Sequence, residues 1–410
     1  MLLHEQDHAN SRTSVATRGS ALEVLLVFLR LGCTSFGGPV AHLGYFQKEL
    51  VDRRKWCSEG TMAELIALAQ SLPGPASSQV GFALGILRAG WLGGLAAWTG
   101  FTLPSAVLML AFAYGHARIT SGAGASLLHG LQLVAVAVVA QAALAMQRRL
   151  APDRRRMVFA LLAVAVVLFG PAAFSTLIAI AAGAAGGLLF LRVDRSEQEQ
   201  RTARSLPARD GLIAAACFLV LLVVPPLVSL LVAGQGLRVF SAFYRTGALV
   251  FGGGHVVLPL LEHTVVARGW VTQPAFLAGY GATQALPGPL FTFGAYLGAV
   301  VRPSPSPLLY GMIALMGIFT PGLLAMAAVL PFWSALRANI LFQAGIRGVN
   351  AAVVGVLMAA LYQPLWTSTI HSPVDFWVAL VAFAVLTLWK APSWLVVAGT
   401  AGLYMLISIR

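Results

Sequence analysis

The segment Phe-Leu-Arg-Leu-Gly-Cys-Thr-Ser-Phe-Gly-Gly at residues 28–38 has a counterpart, Phe-Tyr-Arg-Thr-Gly-Ala-Leu-Val-Phe-Gly-Gly, at residues 243–253, with six of eleven positions identical. The register persists along the chain, because Gln-Ser-Leu-Pro-Gly-Pro at 70–75 matches Gln-Ala-Leu-Pro-Gly-Pro at 284–289. Chance matches rarely stay in register over such a length. The sequence therefore predicts two homologous halves.

Composition indicates a membrane protein. Hydrophobic residues make up 58% of the 410 residues and charged residues only 10%. Apolar runs such as 127–147 and 212–233 match the roughly 20 residues that a helix needs to cross about 30 Å of hydrocarbon. We therefore predict an all-α polytopic protein whose main partner is the lipid bilayer.

The net charge of +13 is carried largely by arginines in loops between apolar runs. This pattern is typical of orientation by the positive-inside rule, so no nucleic-acid partner is expected. We divide the chain into a disordered cytoplasmic tail at 1–20, a first repeat at 21–192, a basic cytoplasmic linker at 193–210, a linking transmembrane helix at 211–234 and a second repeat at 235–410.

Loop charges predict how the two halves are oriented. Five arginines between residues 148 and 156 place that loop inside, whereas the equivalent loop at 362–374 contains no lysine or arginine. The linking helix at 211–234 supplies a single crossing that turns the second half over. We therefore predict two inverted-topology repeats with broken or re-entrant helices, a cytoplasmic N-terminus and a C-terminus on the opposite, periplasmic or extracellular side.

Arg30 and Arg245 lie about nine residues inside apolar helices, at equivalent points of the two repeats. A charge at such depth costs at least ~2.5 kcal/mol, so each arginine should face protein, water or a ligand. Each could simply bind the carbonyls of its own broken helix or pair with an acid. Because acids are few in these regions, two such arginines also predict an anion site near the membrane midplane.

The two Pro-Gly-Pro breaks point to the same chemistry. Helices that begin at Ala76 and Leu290 would present free amide hydrogens and a partial positive charge, and nearby hydroxyls can donate hydrogen bonds. A tetrahedral oxyanion suits such a site, although the breaks could also serve only close helix packing. The substrate-binding candidates are Arg30, Arg245, Gly37, Gly38, Gly252, Gly253, Gln70, Pro73, Gly74, Pro75, Ser77, Ser78, Gln284, Pro287, Gly288, Pro289 and Thr292.

Three further residues are candidates for proton coupling: His42, His255 and Glu64. A purely structural role for either histidine remains open, as does a carbonyl-binding role for Gln70 and Gln284. The three cysteines are scattered and no catalytic motif is found, so neither a metal, a cofactor nor an enzymatic activity is expected.

With these motifs the chain resembles the chromate ion transporter family, specifically its long two-domain members. The likeness rests on Phe-Leu-Arg-Leu-Gly and Phe-Gly-Gly-Pro within 28–39, the two Gln-x-Leu-Pro-Gly-Pro motifs, and Phe-Gly-Gly-Gly-His at 251–255. It covers nearly everything from about residue 20 to 410. The second half departs from the first at Gly254, which replaces Pro39.

The resemblance implies a bacterial inner-membrane protein that exports chromate and confers resistance to it, with sulfate as the close analogue. Membrane potential or ion exchange would drive the export, and a homodimer remains open. The alternatives are a sulfate or other oxyanion transporter or exchanger, an anion channel, and a membrane-embedded reductase or lipid transferase. The last is disfavoured by the lack of clustered Cys, His or carboxylate side chains.

Overall fold

The computed structural model describes residues 19–116, 123–171, 174–191, 207–232, 234–302 and 306–408. Most of the predicted cytoplasmic tail and most of the predicted basic linker lie outside these ranges. The described residues are helical and contain no strand.

The first repeat contains seven α-helices. They are α1 (Ala21–Thr34), α2 (Gly38–Phe46), which continues as a π-helical segment at Gln47–Arg53, α3 (Glu59–Ser71), α4 (Ala76–His116), α5 (Ala123–Leu150), α6 (Arg154–Phe169) and α7 (Ser175–Phe190). The helix α8 (Ala208–Leu231) follows them and links the repeats.

The second repeat begins with α9 (Gln235–Gly247), a 3-10 turn at Gly254–Val256, α10 (Val257–Val265), α11 (Gln273–Thr283), a 3-10 turn at Leu290–Thr292 and α12 (Phe293–Val300). It ends with α13 (Pro307–Val329), a 3-10 turn at Leu330–Phe332, α14 (Trp333–Ala338), α15 (Ile340–Ala360), a π-helical segment at Leu361–Trp366, α16 (Thr367–Thr369), α17 (Pro373–Thr387) and α18 (Ser393–Ser408).

Within the described ranges, five helical segments are long and apolar enough to cross a membrane: Ala76–His116, Gly124–Leu150, Ala208–Leu231, Pro307–Ala338 and Ile340–Thr369. The first of these is two helices, because Ala89 and Gly90 have non-helical backbone angles. The two pieces pack through glycines, since a Cβ on Gly85 would collide with the carbonyl of Gly93. The segment Ala76–His116 is therefore a short helix followed by a longer one.

The first helix of each repeat ends a few residues before a Gly-Gly pair. The glycines at the breaks have positive φ angles of 96° at Gly37, 77° at Gly38, 78° at Gly252 and 148° at Gly253. Residues with a Cβ rarely adopt this backbone conformation, which explains why a pair of glycines stands at both positions.

The last helices of each repeat pack against the other repeat. Helix α5 of the first repeat contacts α11, α17 and α18 of the second, and α15 of the second repeat contacts α6 and α7 of the first. Two of the close approaches are equivalent, because Gly130 meets Ala401 and Gly348 meets Gly183. Each repeat thus packs equivalent helices against the other repeat, which holds the two repeats together.

Candidate functional site

Two backbone hydrogen bonds join the broken elements of the two repeats. The amide of Gly74 donates to the carbonyl of Val250 at 2.7 Å, and the amide of Gly288 donates to the carbonyl of Ser35 at 2.9 Å. These bonds are related by the repeat, because Gly288 is the counterpart of Gly74 and Val250 that of Ser35. Each Pro-Gly-Pro loop therefore binds the break in the first helix of the opposite repeat. We call this region the crossing.

Glycine is needed at the crossing for two reasons. The φ angles of Gly74 and Gly288 are 119° and 90°, in the region that glycine favours. A Cβ on Gly74 would lie 2.7 Å from the Cα of Gly322, and a Cβ on Gly288 would lie 2.8 Å from the Oγ of Ser105. The loops therefore approach α13 and α4 more closely than any other residue would allow.

Gln79 is part of the crossing, and sequence analysis did not identify it. Its side chain is fully buried, and its Nε2 donates to the carbonyls of Pro73 and Gly322, each at 2.9 Å. Both partners are acceptors, so the amide must point its NH₂ group at them and leave Oε1, which has no recorded partner, for another donor. In the sequence, the feature that could have identified Gln79 is its side-chain amide in the first turn after the Pro-Gly-Pro motif.

The predicted hydroxyl donors lie buried beside the crossing. His42 is 1% exposed, and its Nδ1 lies 3.3 Å from the Oγ of Ser77. In the described part of the chain, the polar atoms here that are buried without a hydrogen-bond partner include Ser35 Oγ, His42 Nε2, Ser78 Oγ and Gln79 Oε1. Buried polar atoms are normally satisfied, so these are available to water or to a ligand.

The first-repeat side of the crossing is more polar than the second-repeat side. The counterparts of Ser35, His42, Ser77 and Gln79 in the second repeat are Val250, Val257, Phe291 and Phe293, and all four are buried. Of the hydroxyl candidates, the second repeat keeps Thr292, whose hydroxyl donates to the Pro289 carbonyl at 2.9 Å. The repeats therefore share a backbone framework but line it with different side chains.

The structure does not bring Arg30 and Arg245 into one pocket. Both are exposed, and they line two open pockets that have no residue in common. The Arg30 pocket has a volume of about 580 Å³ and is also lined by Leu31, Thr34, Tyr45, Lys48, Glu49, Asp52 and Arg53. The Arg245 pocket has a volume of about 420 Å³ and is also lined by Pro226, Leu227, Ser229, Leu230, Arg238, Ser241, Ala242 and Arg268. Joint binding of one ion by both arginines stays a prediction.

The remaining candidates have identifiable surroundings. Glu64 lies 3.7 Å from Arg337 of the second repeat, in a partly exposed ion pair. His255 Nδ1 lies 2.7 Å from the hydroxyl oxygen of Tyr280. Gln70 and Gln284 are half-buried where α3 and α11 end. Among the described residues, no group of three His, Cys, Asp or Glu side chains could hold a metal ion.

Two repeats of broken helices, interlocked across a glycine-lined contact, define a polytopic membrane transporter. The chain belongs to the chromate transporter family, whose sequence pattern matches residues 22–188 and 237–405.

Similar proteins agree with this assignment. The chain is 32% identical to a chromate transport protein of Pseudomonas aeruginosa, over 81% of this chain and 78% of that protein. It is 27% identical to a chromate transport protein of Cupriavidus metallidurans, over 92% and 91% of the two chains. An uncharacterized transporter of Methanocaldococcus jannaschii is 26% identical, over 88% of each. No solved structure matches the chain.

Proposed function

We propose that the chain exports chromate from the cytoplasm across the inner membrane and so confers resistance to it. The crossing is the observation that carries this proposal. Breaks from both repeats meet there, and beside it lie buried polar atoms without partners, the hydroxyl oxygens of Ser35 and Ser78 and Nε2 of His42. Such donors suit an ion whose four oxygens accept hydrogen bonds from several directions.

The direction follows from charge. Chromate is a dianion near neutral pH, and an inside-negative potential drives each exported charge by about 2.3 kcal/mol per 100 mV. Two charges therefore gain about 4.6 kcal/mol at 100 mV, which is equivalent to a concentration ratio of about 10³. Export then needs no ATP, and ion exchange is the other source of drive that this arrangement could use.

We assign the central binding site to the crossing, with most of its donors on the first-repeat side. Ser77 and Ser78 in the first turn of α4 donate from one repeat. Thr292 lines the other side, where its hydroxyl already donates to the Pro289 carbonyl. The free amide ends after the two Pro-Gly-Pro loops add a partial positive charge. The positive φ angles at the two glycine pairs, Gly37 with Gly38 and Gly252 with Gly253, let bare backbone approach the ion.

The two arginines act in series in this proposal. Arg30 attracts the dianion into a pocket on the first-repeat side of the crossing, and Arg245 attracts it on the second-repeat side. Inverted repeats would place these pockets toward opposite membrane faces, with the N-terminus in the cytoplasm and the C-terminus outside. Rocking of the repeats would then pass the ion between them. His42, buried against Ser77, is the candidate for proton coupling.

The test is chromate flux into or out of sealed proteoliposomes at a fixed potential. Wild type is compared with Arg30→Ala and Arg245→Ala, and with Arg156→Ala as a control on a partly exposed arginine that pairs with Asp153 outside the site. We expect saturable, potential-driven flux in the wild type and the control, and at least a tenfold loss in both site variants.

The same assay separates the alternatives. Sulfate added as a competitor ranks the two oxyanions. Flux that appears only against an opposing anion gradient indicates an exchanger, and single-channel currents without saturation indicate a channel. Full flux in both arginine variants would contradict the assignment of the arginines, and no chromate flux under any gradient would contradict the proposed function.

A further inference from the structure

The pocket around Arg245 contains two more arginines, Arg238 and Arg268, and none of its lining residues is acidic. We call it the three-arginine pocket. Two hydroxyl side chains, Ser229 and Ser241, also line it. Three guanidinium groups and the Ser241 hydroxyl thus share a volume of about 420 Å³ with no acidic side chain, while the Ser229 hydroxyl already donates to the Pro226 carbonyl.

The local structure explains why the arginines converge. Arg238 and Arg245 are seven residues apart on α9 and so lie on one face of the helix, two turns apart. Helical side chains tilt toward the N-terminus, which directs Arg245 back toward Arg238. The chain then returns after α10, and Arg268 stacks at 5.3 Å over the ring of Trp270. Partial burial and the charge of Arg245 both lower the pKa of Arg268, as expected for facing guanidinium groups.

The equivalent pocket of the first repeat is different. It contains Arg30, Lys48 and Arg53, but also Glu49 and Asp52. Arg53 bonds to Glu49 at 3.0 Å, so part of the positive charge there is neutralised within the protein. Among the residues that the structure describes, the three-arginine pocket has no such internal partner, and its charge calls for an anion from outside the chain.

The surroundings of the three-arginine pocket limit the kind of anion. One wall is the linking helix α8, whose Leu227 and Leu230 are 55% and 81% exposed. Apolar side chains this exposed on a membrane helix are suited to contact acyl chains, while the arginines are suited to a phosphate. Guanidinium groups bind phosphate and related oxyanions through paired hydrogen bonds.

We propose that the three-arginine pocket binds a phosphate-type tetrahedral oxyanion, supplied either by the headgroup of an anionic phospholipid or by a free ion. The proposed function uses only Arg245 of this pocket, and the inference goes beyond it because Arg238 and Arg268 have no part in that function. It also predicts that the two repeats differ in their response to lipid, since only one of the two equivalent pockets lacks acids.

The test uses the purified full chain in detergent after removal of lipid. Thermal unfolding is followed during titration with phosphatidylglycerol in one arm and with inorganic phosphate in the other, and native mass spectrometry counts bound lipid. The variant is Arg238→Gln with Arg268→Gln. The matched control is Lys48→Gln with Arg53→Gln in the equivalent pocket of the first repeat.

We expect a saturable rise in the unfolding midpoint for wild type and control, with at least tenfold more ligand needed by the Arg238→Gln, Arg268→Gln variant. A response to phosphatidylglycerol alone identifies a lipid site, and a response to both identifies a site for the free ion as well. Without ligand, the variant should unfold no earlier than the wild type, because removing two like charges relieves repulsion. Equal titrations in variant and wild type, or no response to either ligand, would overturn the proposal.

Chromate flux is measured separately on the same samples. A chain that binds phosphatidylglycerol through the three-arginine pocket but carries no chromate would disprove the proposed function and leave this inference intact. A chain that carries chromate but shows no response to phosphatidylglycerol or phosphate would disprove this inference and leave the proposed function intact.

Discussion

The amide of Gly74 and the carbonyl of Val250 lie 2.7 Å apart, and this bond ties a loop of the first repeat to the helix break of the second. Its counterpart ties Gly288 to Ser35 at 2.9 Å. Any motion that separates the repeats at the crossing must stretch one or both bonds, and each amide so released can donate to a passing anion. In the proposed transport cycle, these two bonds would hold the crossing closed.

Alanine at Gly74 should destabilise the protein by about 1–3 kcal/mol, because its positive φ is strained for alanine and the new methyl group meets the backbone of Gly322. Alanine at Gly288 should cost less, because the contact there is a serine hydroxyl that can move. Thermal unfolding in detergent measures both. Gly44→Ala is the control, because its Cβ would meet no atom within 4 Å. Equal midpoints for all three variants would contradict the close approach.

Replacing Gln79 with leucine should cost roughly 2–4 kcal/mol, because two buried carbonyls, of Pro73 and Gly322, lose their donors. Chromate flux should fall with it, since Gln79 links the first-repeat loop to α13. The comparison is Gln141→Leu, which removes a single bond to Leu386. If the two substitutions prove equally mild in unfolding and flux assays, Gln79 does not anchor the crossing.

His129 of α5 and Asp375 of α17 should be energetically coupled across the repeats. Their side chains lie 3.1 Å apart, and Asp375 is buried. A double-mutant cycle with His129→Ala and Asp375→Ala should give a coupling energy of about 1–3 kcal/mol. The pair Glu64 and Arg337, at 3.7 Å and partly exposed, should give less than about 1 kcal/mol. A coupling near zero for the first pair would remove its role in holding the repeats together.

Thiol labelling can test the sidedness of the two arginine pockets. Cys33, Cys57 and Cys217 are first replaced with serine, and then Thr34→Cys marks the Arg30 pocket or Ser229→Cys marks the three-arginine pocket. A membrane-impermeant reagent added outside should label position 229 and spare position 34, and inverted vesicles should give the opposite result. Labelling of both positions from one side would contradict inverted repeats.

The duplication made much of the fold predictable. Matching glycine pairs and Pro-Gly-Pro motifs located the helix breaks, because positive φ angles and proline geometry restrict these positions to few residues. Sequence spacing could not show that each Pro-Gly-Pro loop bonds to the helix break of the other repeat. The sequence pattern would be the same if each loop bonded to the break of its own repeat. Gln79 was missed for that reason.

The arginines show a second limit. Their depth in apolar helices was readable, but the direction of each side chain depends on how α1 and α9 rotate against α4 and α13. The greater polarity of the first-repeat side of the crossing was within reach of the sequence, since His42 aligns with Val257 and Ser77 with Phe291. The difference in polarity between the two sides matters only if these positions are buried, and their burial is known only from the structure.

The exchange of helices between the repeats has a consequence for synthesis. The surface of α5 that contacts α17 and α18 is complete when the ribosome passes Leu150, yet its partners begin only at Pro373, more than two hundred residues later. At translation rates of about 5–20 residues per second, the delay is roughly 10–45 s. During that interval the nascent first half must stay in the membrane with His129 and the glycine face around Gly130 unpaired, so its maturation depends on lipid or an insertion factor to shield that face.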